Sequence, residues 1–257
     1  MDCILAIDVG TQSLRACIID SELSVLERQR VPYTPQVISR DKVEIDAEIL
    51  WDALVQACSK LKLKDRVSVV TFSTLCPSLI PMDADGQPLR PIILHLDRRS
   101  YRQAQWALRK VGEDAFLNIA GNLPIPGGIS ATSLLWVKDH ESEIYAKKDT
   151  RFGHAVTFFL KRLTDRFLID PSNASFTGLY DTVGYGDWDE RLYGPLEIER
   201  DKLPQVLMST EHAGELIDDA ARALGLQKNK PVKIRANQTN SATEGEGVTR
   251  RGDKKNK

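Results

Sequence analysis

Near its amino terminus the chain reads Cys3-Ile-Leu-Ala-Ile-Asp-Val-Gly-Thr-Gln-Ser-Leu-Arg-Ala-Cys-Ile-Ile19. Two apolar runs flank a polar centre, which is typical of a β-hairpin with a tight turn. Gly10 lets the backbone approach a ligand closely, and successive turn amides can face an anion such as a phosphate. Asp8 can hold a hydrated metal ion that accompanies the phosphates. An ordinary Asp/Gly turn has the same residue types, so the hairpin alone leaves both interpretations open.

The segments that follow the hairpin predict an α/β layer domain with one mixed sheet. A third strand is expected at 24–32, and Asp46 is placed to cap a helix at 47–60 whose apolar residues recur at helical spacing. The β-branched run 67–72 is typical of a buried central strand. Further elements are predicted as a hairpin at 79–82 and 92–96, helices at 98–110, 113–120, 131–139, 156–164 and 216–224, a strand at 152–156, and a helix opened by 187–189.

Composition restricts the class of protein. The 257 residues are 42% hydrophobic and 28% charged with a formal net charge of −1, so no global field attracts nucleic acid or anionic lipid. The four cysteines have no paired spacing, and we expect reduced thiols. We find no pattern of a secretion signal or a membrane span. These features predict a cytoplasmic protein without nucleic-acid or membrane partners.

The carboxyl-terminal part differs from the remainder. From residue 227 to 257 the chain has almost no large apolar side chains and many Lys, Asn, Thr, Gly and Glu residues. Such a segment buries too little surface to offset the entropy of ordering it. We therefore expect a folded domain at 1–226 and a polar, disordered tail at 227–257.

Five segments, weak singly, occur in a shared order between residue 3 and about residue 232. They are Ala6-Ile-Asp-Val-Gly-Thr-Gln-Ser-Leu-Arg15, Pro88-Leu-Arg-Pro-Ile-Ile-Leu-His-Leu-Asp-Arg-Arg99, Leu134-Leu-Trp-Val-Lys-Asp-His-Glu141, the run 160–181, and Trp188-Asp189 with Leu203-Pro204 and Gly214-Glu-Leu216. Together they resemble the FGGY carbohydrate kinases, the family of glycerol, xylulose, ribulose and gluconate kinases. The resemblance implies an actin-like, ribonuclease H-like domain with a mixed β-sheet flanked by helices, the first of two such domains in a complete kinase.

The resemblance also implies a function and its site residues. The family transfers a phosphoryl group from ATP, accompanied by Mg²⁺, to a sugar or polyol hydroxyl in the cleft between the two domains, with a carboxylate as base. Asp8 would lie at the metal and phosphate side and contact the metal through water. Gly10, Thr11 and Gln12 would face the phosphates, and Arg15 would stabilise the transferring group. We expect no cofactor bound tightly to this chain itself.

Polar candidates for the sugar pocket are Thr74, Ser78, Asp97, Arg98 and Arg99, which also suit strand ends and helix caps equally well. The loop Leu75-Cys76-Pro77 and Ser133 differ from what glycerol and xylulose kinases carry there.

The sequence departs from the family at its end. Pro231-Val232 begins the segment that carries the family's catalytic aspartate, but Gln238 or a neighbour falls where the aspartate belongs, and an amide cannot act as a base. The resemblance covers only a first domain, as in a truncated or frame-shifted gene product. We therefore expect this chain alone to be inactive or very weak, without a catalytic residue.

Two other interpretations of function stay open. One is a non-catalytic sugar-binding or interaction module, and the other is one half of a split kinase completed by a separate nucleotide-binding domain. An exposed cleft face would also favour self-association.

Overall fold

The computed structural model describes residues 2–208 and 211–234. Its strands are β1 Cys3–Val9, β2 Ser13–Ile19, β3 Val25–Pro32, β4 Gln36–Ser39, β5 Lys42–Ile45, β6 Val67–Thr74, β7 Ser78–Met82, β8 Ile92–Leu94, β9 Arg151–Gly153, β10 Leu168–Ile169, β11 Gln205–Val206, β12 His212–Glu215 and β13 Pro231–Ile234. Its helices are α1 Ala47–Ser59, α2 Tyr101–Val111, α3 Glu113–Ala115, α4 Ser130–His140, α5 Ser142–Ala146, α6 Ala155–Thr164, α7 Pro171–Ser175, α8 Glu190–Tyr193 and α9 Asp218–Leu224.

A six-stranded mixed sheet forms the centre of the fold, in the order β12-β13-β6-β1-β2-β3. β1 and β2 form the predicted antiparallel hairpin, with Asp8 opposite Arg15. β6 lies parallel to β1 on one side and to β13 on the other. This mixed sheet with its flanking helices confirms the predicted α/β class.

The helices pack on one face of this sheet, so side-chain burial alternates along its strands. Leu5, Ile7 and Val9 of β1 are buried, whereas the residues between them are half-buried. Helix α1 begins at Asp46, whose carboxylate accepts a hydrogen bond from the backbone N–H of Glu48. Phe159 of α6 packs against Phe72 of β6 at 6.1 Å between ring centroids, which joins the helix layer to the sheet.

A second, five-stranded sheet has the order β4-β5-β8-β7-β9. Its β7–β8 hairpin was expected from the sequence, but β4 and β5 lie between the strand predicted at 24–32 and the helix predicted at 47–60, where we predicted no strand. All four residues of β4 are exposed, so the strand lacks the buried alternation by which a sequence reveals a strand. β4 forms because it pairs with β5. β5 in turn pairs with β8, whose residues are about fifty positions further along the chain.

The folded unit extends past the boundary expected at residue 226. β13 lies inside the large sheet, where Val232 is opposite Val70 and is fully buried. The expected disorder of the remaining tail concerns residues that lie outside the described part of the chain. Within the described residues, no helix is long and apolar enough to cross a membrane.

Candidate functional site

The turn between β1 and β2 is fixed by backbone hydrogen bonds. The Gly10 N–H donates to the Ser13 carbonyl at 3.0 Å, and the Tyr33 N–H donates to the Gln12 carbonyl at 3.0 Å. The Tyr33 hydroxyl donates to the Gly10 carbonyl at 2.6 Å. Thr11 is half-buried and Gln12 is exposed, so the tip of the turn can be reached by a ligand.

Tyr33 is a positioning residue that the sequence did not reveal. Burial, with a smaller contribution from the charge of Asp8, raises the pKa of its hydroxyl. The hydroxyl therefore stays protonated at neutral pH and keeps donating to the turn. Its position follows from the register, which places Pro32 opposite Ser13 and the next residue beside the turn.

Asp8, Arg15 and Ser73 form a polar cluster beside this turn. Arg15 Nη1 donates to Asp8 Oδ2 at 2.8 Å, and Ser73 Oγ donates to Asp8 Oδ1 at 3.3 Å. The side chains of Arg15 and Asp8 are 38% and 31% exposed. Since β1 and β6 are parallel, their carboxyl ends meet at one edge of the sheet, where open α/β sheets usually bind ligands.

This cluster fits a hydrated metal ion and does not resemble a closed metal cage. Mg²⁺ commonly keeps several waters and uses one or two carboxylates together with substrate phosphates. Asp8 supplies one such carboxylate, and the described residues contain no group of three side chains suited to hold a metal. The donor set therefore suits a hydrated cation such as Mg²⁺.

The predicted sugar-pocket residues lie in a second region, at the ends of β6 and β8 and the start of β7. Thr74 is fully buried, and its hydroxyl has no hydrogen-bond partner among the described residues. Ser78 is buried as well, and its hydroxyl accepts a bond from the Ala155 N–H at 3.0 Å.

The remaining three sugar candidates make contacts within the protein. Asp97 is buried, accepts from the Val43 N–H at 2.8 Å, and forms an ion pair with Arg99 at 2.8 Å. Arg99 also pairs with Glu44 at 2.6 Å. Arg98 is exposed and donates to the carbonyls of His95 and Asp97. Asp97 and Arg99 thus hold the loop together, and Arg98 is the member of this group that solvent reaches most readily.

A narrow crevice lies beside Ser78, the only one of these five candidates in its lining. Pro77, Ser78 and His95 line it together with Ser130 and Ser133, and its free volume of about 10 Å³ leaves little room for a ligand. The His95 Nδ1 atom is buried without a partner among the described residues. A sugar could enter only if the walls moved apart.

His154 lies behind the crevice. Its Nε2 atom is 2.8 Å from the Ser130 hydroxyl, and its Nδ1 atom is 3.5 Å from the Cys76 sulfur. Burial lowers the pKa of His154 to about 4, an effect that a hydrogen bond with Asn173 partly offsets. The imidazole is therefore neutral at physiological pH.

The two groups of predicted residues lie on different elements. A single hairpin carries the phosphate-side candidates Asp8, Gly10, Thr11, Gln12 and Arg15. Thr74 follows Ser73 on β6, whereas Asp97, Arg98 and Arg99 lie in the loop after β8. Gln238, expected in place of the catalytic aspartate, lies outside the described residues.

Comparisons with known proteins identify the family. The FGGY family of carbohydrate kinases, N-terminal domain, matches residues 3–245. A xylulose kinase of Staphylococcus xylosus is 25% identical over 229 residues, which cover 88% of this chain and 47% of that protein. A glycerol kinase of Thermococcus gammatolerans is 29% identical over 219 residues, covering 82% and 44%.

A solved structure shows the same fold. The crystal structure of a xylulose kinase from Rhodospirillum rubrum superposes with a TM-score of 0.91 at 22% identity, covering 97% of this chain and 52% of that one. The chain therefore spans about half the length of the relatives it matches.

Proposed function

Because the chain belongs to the FGGY family of carbohydrate kinases, we propose that it forms the acceptor half of such a kinase, a transferase. It would bind a sugar or polyol and present one hydroxyl for phosphoryl transfer from ATP. The observation that carries this proposal is the Asp8–Arg15–Ser73 cluster beside the hairpin turn, at the carboxyl ends of two parallel strands.

In this proposal the hairpin holds the phosphate side of the reaction. The turn at Gly10, Thr11 and Gln12 faces the phosphates, and Arg15 compensates charge on the transferring group. When Mg²⁺ is bound with ATP, it neutralises phosphate charge. Asp8 would contact its hydration shell through an oxygen, while Arg15 and Ser73 hold the carboxylate in place.

The acceptor would bind where β6, β7 and the loop after β8 meet. Thr74 offers a buried hydroxyl without a partner among the described residues, and Arg98 offers an exposed guanidinium. Ser78, Asp97 and Arg99 would shape the pocket from behind through the bonds described above. The proposed acceptor is a sugar or polyol, the class of compound on which the relatives act. Cytoplasmic localisation is a separate prediction from the sequence.

A thermal-shift screen tests acceptor binding. The purified chain is heated with pentoses, hexoses, their keto forms and polyols, with and without MgATP. We expect at least one compound to raise Tm whether or not nucleotide is present. Arg98→Ala should remove that shift, and Arg102→Ala on α2 should retain it because this exposed arginine lies outside the proposed pocket. A wild-type chain that no sugar or polyol stabilises would contradict the proposal.

A further inference from the structure

A cavity of about 520 Å³ lies against helices α2 and α4, apart from the candidate site. Four of its lining residues, Arg102, Gln103, Trp106 and Arg109, belong to α2, and most of the others come from the second half of α4. Neither the hairpin cluster nor the crevice beside Ser78 contributes a residue to this lining. Ligand pockets have volumes of roughly 300–1,000 Å³, so the cavity can hold a small organic molecule.

Gln103 is a buried side chain with one unsatisfied oxygen. It is 6% exposed, and its Nε2 atom donates to Asp139 Oδ2 at 2.8 Å. Because a carboxylate only accepts hydrogen bonds, this contact fixes which end of the amide is the nitrogen. The Oε1 atom is buried and has no hydrogen-bond partner among the described residues. A buried acceptor without a donor destabilises the fold, so a ligand that brings a hydroxyl group would satisfy it.

Helix α2 is cationic on the side that lines the cavity. Arg102 and Arg109 are exposed, and within the described ranges neither makes an ion pair or a hydrogen bond. They are seven positions apart, which places them on the same side of the helix. The helix itself contains no acidic residue. The two guanidinium groups are therefore available to an anion, which arginine binds through paired N–H donors.

The acidic side chains of the cavity already have partners. Asp139 accepts the bond from Gln103, and Glu197 lies 3.5 Å from the Lys138 ammonium while its own side chain is 76% exposed. Lys138 also donates to the Glu197 carbonyl at 2.8 Å. The two unpaired arginines therefore favour an anion, and they match the charge of about −1.5 to −2 that a phosphate monoester carries at pH 7.

Trp106 lies between the two arginines on α2. Its ring is half-buried, and the Lys110 ammonium lies 5.7 Å from the ring centroid. In the part of the chain that the structure describes, the indole N–H makes no hydrogen bond. An indole has an apolar face and a polar N–H. It can therefore pack against the C–H groups of a sugar ring and donate to one of its hydroxyls.

We propose that this cavity is a second binding site, specific for a sugar phosphate. The phosphate binds Arg102 and Arg109, the sugar ring packs on Trp106, and one sugar hydroxyl donates to Gln103 Oε1. Because Oε1 is covered, the hydroxyl reaches it after a neighbouring side chain moves aside, and the unpaired Arg102 is free to do so. The inference goes beyond the proposed function, since no lining residue of this cavity belongs to the hairpin cluster or to the acceptor candidates.

Glucose 6-phosphate is the probe, and isothermal titration calorimetry of the whole chain measures its binding. We expect saturable binding that is at least tenfold tighter than that of glucose, inorganic phosphate or gluconate. Glucose lacks the anion, inorganic phosphate lacks the sugar, and gluconate carries a single negative charge. Binding should weaken as the salt concentration rises, because the contact with the arginines is partly screened.

Substitutions on α2 test the assigned contacts. Arg102→Ala combined with Arg109→Ala should weaken binding at least tenfold. Gln103→Met keeps the length of the side chain but removes the acceptor, and it should weaken binding at least fivefold. Arg222→Ala combined with Lys228→Ala is the matched control, since it removes two positive charges from exposed positions outside the cavity. This control should bind as the wild type does.

Tryptophan fluorescence gives a second measurement that needs no loss of binding. Glucose 6-phosphate should change the emission of the wild type with the same saturation as in calorimetry. Trp106→Phe keeps an aromatic face for the sugar ring, so it should retain most of the binding and lose most of the emission change. An emission change that persists in this variant would contradict the contact with Trp106.

Four results would overturn the inference. Glucose 6-phosphate that does not bind would exclude the site. Inorganic phosphate or gluconate that binds as tightly would show that the cavity does not require a sugar phosphate. Equal weakening in the cavity variant and its charge-matched control would show an effect of net charge alone. Binding that Arg98→Ala removes and the Arg102/Arg109 variant retains would assign the ligand to the acceptor pocket.

Failure of this proposal and failure of the proposed function are distinguishable. The sugar screen uses neutral compounds and depends on Arg98, whereas this assay uses a phosphate ester and depends on Arg102 and Arg109. Either result can therefore be obtained without the other.

Discussion

Single residues fix the second sheet through a buried group of charges. Glu44 lies between Arg90 and Arg99, and the three side chains are 7%, 8% and 3% exposed. Glu141 pairs with Arg90 at 2.9 Å, and the Arg99 guanidinium also lies 4.8 Å from the Trp136 ring centroid. A buried charged group lowers the stability of the fold when its oppositely charged partner is removed.

Glu44→Gln should therefore lower the free energy of unfolding by about 3 kcal/mol, because two buried guanidinium groups lose their shared carboxylate. Urea unfolding measures the change. Glu48→Gln is the matched control, since Glu48 pairs with Arg162 but is 45% exposed, and it should cost less than about 1 kcal/mol. Equal losses would show that burial does not decide the contribution of Glu44.

His154 gives the stability a pH dependence. Its pKa is about 4 when folded and 6.5 when unfolded, so between these values the unfolded chain binds a proton that the folded chain does not. The contribution of His154 to the free energy of unfolding is complete above pH 6.5 and is lost as pH falls toward 4. Its full size is about 3 kcal/mol.

Urea unfolding of the wild type and of His154→Gln from pH 4 to 7.5 should show this contribution as a difference in how stability depends on pH. The wild type should lose stability more steeply on acidification, because glutamine does not titrate. His212→Gln, at an exposed position, should follow the wild-type profile. Parallel profiles for the wild type and the His154 variant would contradict the neutral, buried imidazole.

Among the elements, β13 shows why the sequence boundary fell short. The polar residues on both sides of this four-residue strand hide its pattern, and only pairing with β6 makes Val232 and Ile234 core residues. The strands β4 and β5 were also missed, because they form through pairing of β5 with the distant β8. The β1–β2 hairpin, by contrast, carries its alternation and its turn within seventeen residues, so its position was predicted correctly.

Val232→Ala should cost about 2–3 kcal/mol of unfolding free energy, because it removes buried methyl groups from the middle of the sheet. Lys233→Ala on the same strand should change stability by less than about 0.5 kcal/mol, since its side chain is exposed. Chemical denaturation of the two variants measures the contrast. A Val232 variant as stable as the Lys233 variant would mean that β13 contributes little to the core.

At the scale of the whole molecule, the candidate site divides into a part that the sequence reveals and a part that it does not. Asp8 and Arg15 were found because one hairpin holds both. Tyr33 and Ser73 were missed because they reach the turn and the carboxylate from other strands, through registers that no local pattern encodes.

The phosphate side and the acceptor side are both proposed to lie on this chain, whereas the sequence predicts an amide, Gln238 or a neighbour, at the position of the family's catalytic base. We therefore expect the purified chain with MgATP and any sugar of the screen to form no sugar phosphate above background in a coupled ADP assay. The Asp8→Asn variant should give the same background. Turnover by the wild type that Asp8→Asn abolishes would contradict the expected inactivity.

The position of β13 has a consequence for synthesis of the protein. β6 pairs with β1 early in the chain, but the strand that covers its other edge follows about 160 residues later, from Phe72 to Ile234. At roughly 5–20 residues per second, a ribosome needs about 10–30 seconds to make that interval. During that time the nascent chain carries an unpaired edge in the middle of its future sheet, which leaves that edge open to wrong pairing until translation reaches β13.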